Sequence, residues 1–300
     1  MGTWENSTWN VVSYNTAAYC LRTYRGEDTD VYVPDKIRGT NSYLCGFYKS
    51  TANAMFYGNT NIVNVKFGKN VNGCYSNDAS TNRLFAYCTN LKSVYGLPTN
   101  VDTGAEMFAG CTNLVYIDRL PSTGNFWQAF EGCTSLEEAP AIPNSVSNMV
   151  AMFRGCSNLK KVSSIPSSIA DMEFAFDNCV SLEDIPDIES SSSYLSMNYT
   201  FRNCKSLVAA PVIPNGRLRY MVSTFEGCTN LTGNIIIKAN GISSTAAFPG
   251  AQNCFSNTTL PKNVYIPFQG INSSFNTYKA FKGWNGQNGV TIYDINTYKG

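Results

Sequence analysis

Seven cysteines, at positions 88, 111, 133, 156, 179, 204 and 228, follow one another at intervals of 23, 22, 23, 23, 25 and 24 residues. A period in the twenties constrains the fold strongly, because one such segment cannot bury its own apolar residues and must stack on its neighbours. The surrounding positions recur too. Three residues before each cysteine stands Phe85, Phe108, Phe130, Phe153, Phe176, Phe201 or Phe225. Three after it stands Leu91, Leu114, Leu136, Leu159, Leu182, Leu207 or Leu231, and nine after it Leu97, Leu120, Ile142, Ile165, Ile188, Ile213 or Ile237. An earlier copy around Met55–Ile62 carries Asn59 in the cysteine position. A late copy is expected around Cys254, with its phenylalanine and leucine positions lost. Counting both imperfect ones gives about nine copies.

The pattern within a copy predicts local structure. Met149, Met152 and Phe153 lie at i, i+3 and i+4, one face of a helical turn, and Phe126, Ala129 and Phe130 repeat the arrangement. Met221, Thr224 and Phe225 follow it more weakly. Immediately before the cysteine comes Gly110, Gly132, Gly155, Asn178, Asn203 or Gly227, residue types that accept the left-handed geometry ending such a turn. Tyr87 breaks that rule. After the leucine a short run such as Leu159–Val162 reads as a strand. Proline often closes it (Pro98, Pro121, Pro143, Pro166, Pro214), where a missing N–H stops the ladder. Stacked copies then form a parallel β ladder.

Composition narrows the functions open to such an array. Charged residues make up 14% of the 300 positions and nearly cancel at +1, which leaves no basic footprint for nucleic acid. No apolar run approaches the ~20 residues that span a membrane. Residues 1–6 have neither the basic nor the apolar stretch of a secretory leader, so none is expected. The chain has no histidine, which removes Ser-His-Asp and Cys-His catalysis and mixed Cys/His zinc sites within one chain. No cofactor and no metal are expected.

The eleven cysteines cannot all pair within one chain. Three readings compete for the periodic ones: small buried thiols at a tight corner, zinc ligands, or disulfides between rungs. The wide spacing opposes zinc, and parallel side chains in stacked rungs oppose disulfides. Buried thiols fit best, as free cysteine behaves as a small hydrophobe. Asn59 then reads as a polar corner group bonded to backbone. Unpaired thiols in this number point to folding in a reducing compartment.

The positions left free to vary carry the candidate function. Charges just after the consensus leucines alternate: Glu137 and Glu138, then Lys160 and Lys161, then Glu183 and Asp184. Adjacent rungs would interleave them as a cross-strand charge ladder. A catalytic carboxylate pair for glycoside cleavage is the sharper reading, opposed by the intervening lysines. Tyr95, Tyr116 and Arg119 occupy variable strand positions, with Trp127 on the loop side; aromatic-rich open surfaces suit protein or glycan ligands. Trp4, Trp9 and Trp284 are expected to seal the ends. Triplets such as Asn198-Tyr199-Thr200 are expected by chance in so Asn/Ser/Thr-rich a chain.

The combination Met-Phe-x-Gly-Cys-Thr/Ser-Asn/Ser-Leu, with Ala-Pro-Ala-Ile-Pro at 139–143, resembles the BspA-like leucine-rich repeats, in the variety common in gut bacteria and their phages. The resemblance implies an α/β leucine-rich-repeat solenoid with a parallel β ladder and short helical or 3₁₀ turns, capped at both ends. Residues 1–54 would form the N-terminal cap and opening strands, 55–254 the array, and 255–300 the C-terminal cap. Tyr24–Pro34 looks like the family's opening strand. Asn263–Pro267 looks like its closing strand, followed by a short helix at Tyr278–Phe281 and Trp284. Phe108, Cys111, Leu114, Phe153, Cys156 and Leu159 are then structural positions. The family is chiefly one of adhesion and recognition proteins, so a non-enzymatic binding role is implied. The partner would be a protein or glycan ligand on a cell surface, or other virion proteins, with a second copy of the chain a further candidate. The expected location is a virion, as a phage tail or head appendage or as a decoration protein without a receptor; the alternative is a bacterial cell surface.

Overall fold

The computed structural model describes residues 9–15, 18–24, 26–34, 36–37, 40–44, 54–74, 81–192, 194–213, 218–238, 253–258, 263–266 and 291–294. The chain forms two compact units, Met1–Leu136 and Glu137–Gly300.

In the first unit one sheet contains β1 (Trp9–Asn15), β2 (Ala18–Tyr24), β4 (Lys36–Ile37), β5 (Thr40–Leu44) and β7 (Asn72–Cys74). The repeat ladder is a second sheet of four parallel strands, β3 (Asp30–Val33), β6 (Asn64–Phe67), β8 (Ser93–Tyr95) and β9 (Tyr116–Ile117), in that order. β3 thus opens the ladder, as the stretch Tyr24–Pro34 predicted. Val31, Val65, Val94 and Ile117 face the core in register while their neighbours face outward, the two-residue period of a half-buried sheet.

In the second unit two separate rows of isolated parallel bridges cross the rungs, Glu138 to Lys161 to Asp184 after the cysteines and Asn148 to Asp171 to Ser196 before them. The second row continues in the short strands β10 (Leu195–Ser196) and β11 (Leu218–Tyr220), which pair in parallel. β12 (Ile235–Ile236), β13 (Asn263–Ile266) and β14 (Thr291–Asp294) form a parallel sheet, with β13 at the predicted closing strand. The closing helix and the tryptophans at 4 and 284 lie outside the described residues, as does the side chain of Trp9.

The turn before each cysteine alternates two kinds of hydrogen bond. Ala86 N–H donates to Arg83 C=O at 3.0 Å and Cys88 N–H to Phe85 C=O at 3.0 Å, the i to i+3 pattern of a 3₁₀ turn. Between them, Arg83, Phe85 and Tyr87 donate to Ala105, Met107 and Ala109 of the next rung. Ala151, Phe153 and Gly155 bond in the same way to Glu173, Ala175 and Asp177, and Phe174, Phe176 and Asn178 to Asn198, Thr200 and Arg202. The residue before the cysteine is left-handed, as predicted, at φ of +61° for Tyr87 and +73° for Gly155. A second left-handed residue was not anticipated. Arg83, Glu106, Gln128, Ala151, Phe174, Tyr199 and Ser223, five before the cysteine, have φ between +49° and +60°. The next rung fixes each of their neighbours, which offsets the ~1–2 kcal/mol an L-residue loses in this region.

The recurring apolar positions form the core. The phenylalanines from Phe56 to Phe225 are fully buried, and so are the leucines and isoleucines after the cysteines. In the first unit Phe56, Phe85, Phe108 and Phe130 stack face to face with centroids 4.9, 5.2 and 5.2 Å apart. In the second, Phe153, Phe176, Phe201, Phe225 and Phe255 stack at 5.6, 5.5, 5.4 and 5.6 Å.

Phe255 corrects the reading of the last copy. Phe225 N–H bonds to Cys254 C=O and Gly227 N–H to Ser256 C=O, while Asn253 and Asn257 take the two left-handed positions (both φ +56°). The phenylalanine is therefore kept, at Phe255, and Thr258 stands where other copies have cysteine. Its hydroxyl donates to Phe255 C=O at 2.7 Å. Cys254 occupies the core site that Thr224 fills one rung earlier. Aligning on cysteine misplaced the copy by four residues, because the rung from Phe225 to Phe255 is longer than the others.

Candidate functional site

The thiols come first, as the most numerous reactive groups. The cysteines at 88, 111, 133, 156, 179, 204, 228 and 254 carry thiols outside any disulfide and are fully buried. Cys111 Sγ donates to the carbonyl of Phe85 in the preceding rung at 3.0 Å, and Cys88, Cys133, Cys179, Cys204 and Cys228 each do the same to the corresponding phenylalanine. That carbonyl also accepts the N–H of its own rung's cysteine, so a single oxygen ties two rungs together. Burial pushes the Cys88 and Cys254 thiols up to about 12 and raises Cys111, Cys179, Cys204 and Cys228 as well. A thiol in such surroundings stays protonated and is a poor nucleophile or metal ligand. Asn59 solves the corner differently: its Oδ1 accepts N–H groups of Asn61 and Ile62 at 2.9 and 3.2 Å. Cys111→Ala is expected to cost about 1–2 kcal/mol by urea unfolding, as Phe85 C=O keeps its other donor. Cys111→Ser should recover part of that loss.

On the second unit the charged positions meet in register. Lys160 N–H donates to Glu137 C=O and Glu183 N–H to Lys160 C=O, and the Lys160 ammonium lies 2.7 Å from a Glu137 oxygen. The hydrogen bond that Lys160 donates to Glu137, the Glu137 charge, and the charge of Glu183 raise the Lys160 pKa, in that order of effect. Glu138, Lys161 and Asp184 run alongside as the bridged row. A lysine thus sits between the acidic rungs, in the alternation that the sequence suggested. Both partners of the pair are exposed, so water screens it. Lys160→Ala should leave the melting temperature unchanged within error.

Two other ion pairs, unmarked by the sequence pattern, are structural. Arg202 grips buried Asp177 with two bonds of 2.8 Å, its guanidinium 4.9 Å from the Tyr199 ring centroid. Arg83 holds Glu106 likewise at 2.8 and 2.9 Å. Each pair joins adjacent rungs with a bidentate fork.

On the first unit, two outward rows cross the ladder. One is Asp30, Asn64, Ser93 and Tyr116; the other contains Tyr32, Lys66 and Tyr95. Asn64 donates from Nδ2 to Asp30 at 2.7 Å, and Ser93 from its hydroxyl to Asn64 Oδ1 at 2.6 Å. Tyr95 and Tyr116, singled out from sequence, are brought together with centroids 5.3 Å apart and rings tilted by 40°. Arg119 is exposed, but its Nε is engaged by Leu97 C=O at 3.0 Å. Trp127 is 40% exposed and joins neither the core nor this row. Tyr32, at 44% exposure, was missed. The alternation Asp30-Val31-Tyr32-Val33 was the signal that could have found it.

A family profile described as a BspA type leucine rich repeat region matches residues 47–137 and 127–254, in six copies. No curated protein sequence matches the chain. Among solved structures, a T. pallidum leucine rich repeat protein is 21% identical, with a TM-score of 0.52 over 67% of this chain and 89% of its own. A leucine rich cell surface protein from Faecalibacterium prausnitzii A2-165 is 17% identical, with a TM-score of 0.51 over 96% of this chain and 94% of its own. At these identities the likeness speaks to the fold alone.

Proposed function

Since the chain belongs to the BspA-type leucine-rich-repeat family, we propose that it is a non-enzymatic recognition protein that presents the outer face of its β ladder to a ligand. One observation supports this above others: recurring side chains are buried, while the variable ones line exposed, in-register rows on that face. Such rows offer a wide set of chemically different contacts at fixed spacing, a surface suited to binding rather than to turnover. The candidate ligand residues are Tyr95, Tyr116, Arg119, Glu137, Glu138, Lys160, Lys161, Glu183 and Asp184, to which Tyr32 and Lys66 are added.

We place the chain at a bacterial cell surface. The solved F. prausnitzii structure, titled a cell surface protein, supports that choice; the virion location suggested by the sequence has no comparable support. Among the described residues no helix is long and apolar enough to cross a membrane. The experiment is to label the purified chain and measure binding to a panel of bacterial and epithelial cells. Saturable binding at micromolar concentration or below is expected. Absence of binding to every cell type would overturn the reading.

A further inference from the structure

The outward face of the first unit's ladder carries features that, taken together, select a ligand class. Tyr32, Tyr95 and Tyr116 keep 44%, 42% and 47% of their surface exposed. The 40° tilt between Tyr95 and Tyr116 leaves a shallow notch instead of a closed stack. Beside the rings runs the hydrogen-bonded row Ser93–Asn64–Asp30, in which buried Ser93 donates to Asn64 and the Asn64 amide donates to the exposed Asp30 carboxylate. Asn64 Nδ2 has two hydrogens and gives one to Asp30. The charges here are Asp30 and Asp118 against Lys66, Lys92 and Arg119, which nearly balance. The face therefore has only a weak field to attract a polyanion or polycation.

We propose that this face binds a neutral glycan chain laid across the strands. Tyrosine rings stack on the C–H faces of sugar rings, while the amide and carboxylate row accepts and donates to sugar hydroxyls. Strands ~4.8 Å apart put Tyr32 and Tyr95, separated by the Lys66 strand, about 10 Å apart. That distance matches every second sugar residue of an extended chain, each residue advancing by roughly one strand spacing of ~4.8 Å. The proposal rests on the recognition reading above and gives that reading a ligand.

Affinity electrophoresis tests it, in gels cast with galactomannan, mixed-linkage β-glucan or pullulan, and with polygalacturonate as the charged comparison. At least one neutral polymer should retard the protein, with equal strength from about 50 mM to about 500 mM NaCl, a range over which charge–charge attraction is largely screened. Tyr95→Ala with Tyr116→Ala should weaken retardation by about tenfold or more. Tyr95→Phe should keep it, which separates ring stacking from misfolding, and Lys205→Ala, at an exposed position of the second unit, should not change it. Failure of every neutral polymer to retard the protein, or retardation by polygalacturonate alone, overturns the glycan assignment. On whole cells, periodate cleaves sugar diols. If binding to cells survives periodate but not trypsin, recognition stands and the ligand is a protein instead.

Discussion

Raising the pH from about 8 to about 10.5 is expected to unfold the protein without any added denaturant. The six cysteines raised by burial, Cys88, Cys111, Cys179, Cys204, Cys228 and Cys254, hold their protons more tightly folded than unfolded. A group whose folded pKa is raised contributes its full stability below the unfolded value, near 8.5, and loses it as pH climbs towards the folded one. Within that window each thiol removes about 1.4 kcal/mol per pH unit, and the six together about 8 kcal/mol per unit. A domain stability of ~5–15 kcal/mol would be exhausted within one or two units above pH 9. Urea unfolding at stepped pH should give a flat free energy up to about pH 8 and a steep fall beyond it. Replacing Cys204 by Ser should make the fall shallower by about one sixth. A free energy that stayed level to pH 10.5 would show that the thiols are not held protonated by the fold.

The second large effect concerns the stacked rings. Phe176→Ala removes a fully buried side chain from the middle of the second unit's stack, between Phe153 at 5.6 Å and Phe201 at 5.5 Å. Neither neighbour can fill the gap, since each rung is fixed by three hydrogen bonds to the next. The expected cost is about 3–5 kcal/mol. Urea titration followed by far-ultraviolet circular dichroism measures it. A loss below about 1 kcal/mol for Phe176→Ala would mean that the stack relaxes around the void.

Most of this fold was legible in the sequence because it is written many times. Phe108, Cys111 and Leu114 mean little alone, but their return as Phe153, Cys156 and Leu159 identifies the core columns, and all six are buried. Gly155 and Asn178 announced the left-handed position before the cysteine, since side-chain type and backbone geometry agree there. The other left-handed position had no such mark. Arg83, Ala151, Phe174 and Ser223 share no chemistry, and their geometry is imposed by bonds to the next rung rather than by their own preference. The last copy was misread for a related reason: Cys254 matched by letter, while Phe255 matched by hydrogen bonding and stacking.

Of the surface, the sequence brought out the Glu137–Lys160–Glu183 alternation and the Tyr95–Tyr116 pair, which repeat spacing places on adjacent strands. It missed Tyr32, because β3 precedes the first recognisable copy and only strand pairing reveals its neighbours. Arg119, also singled out from the sequence, is exposed while its Nε reaches back to Leu97, a contact that repeat spacing does not announce.

The alternating hydrogen bonds of the turn have one more consequence. The turns at 83–87, 106–110, 151–155, 174–178 and 199–203 each offer three amide donors towards the C-terminal side, to carbonyls at equivalent positions of the following rung. Rungs are thus interchangeable at their joints even when their lengths differ, as the long rung ending at Phe255 shows. A gene that gains or loses one whole copy regenerates both joints, whereas a deletion of a few residues inside a turn breaks three bonds at once. Copy number is therefore the dimension along which such a chain varies with least damage, and each added copy lengthens the outer face by one more row of freely chosen side chains.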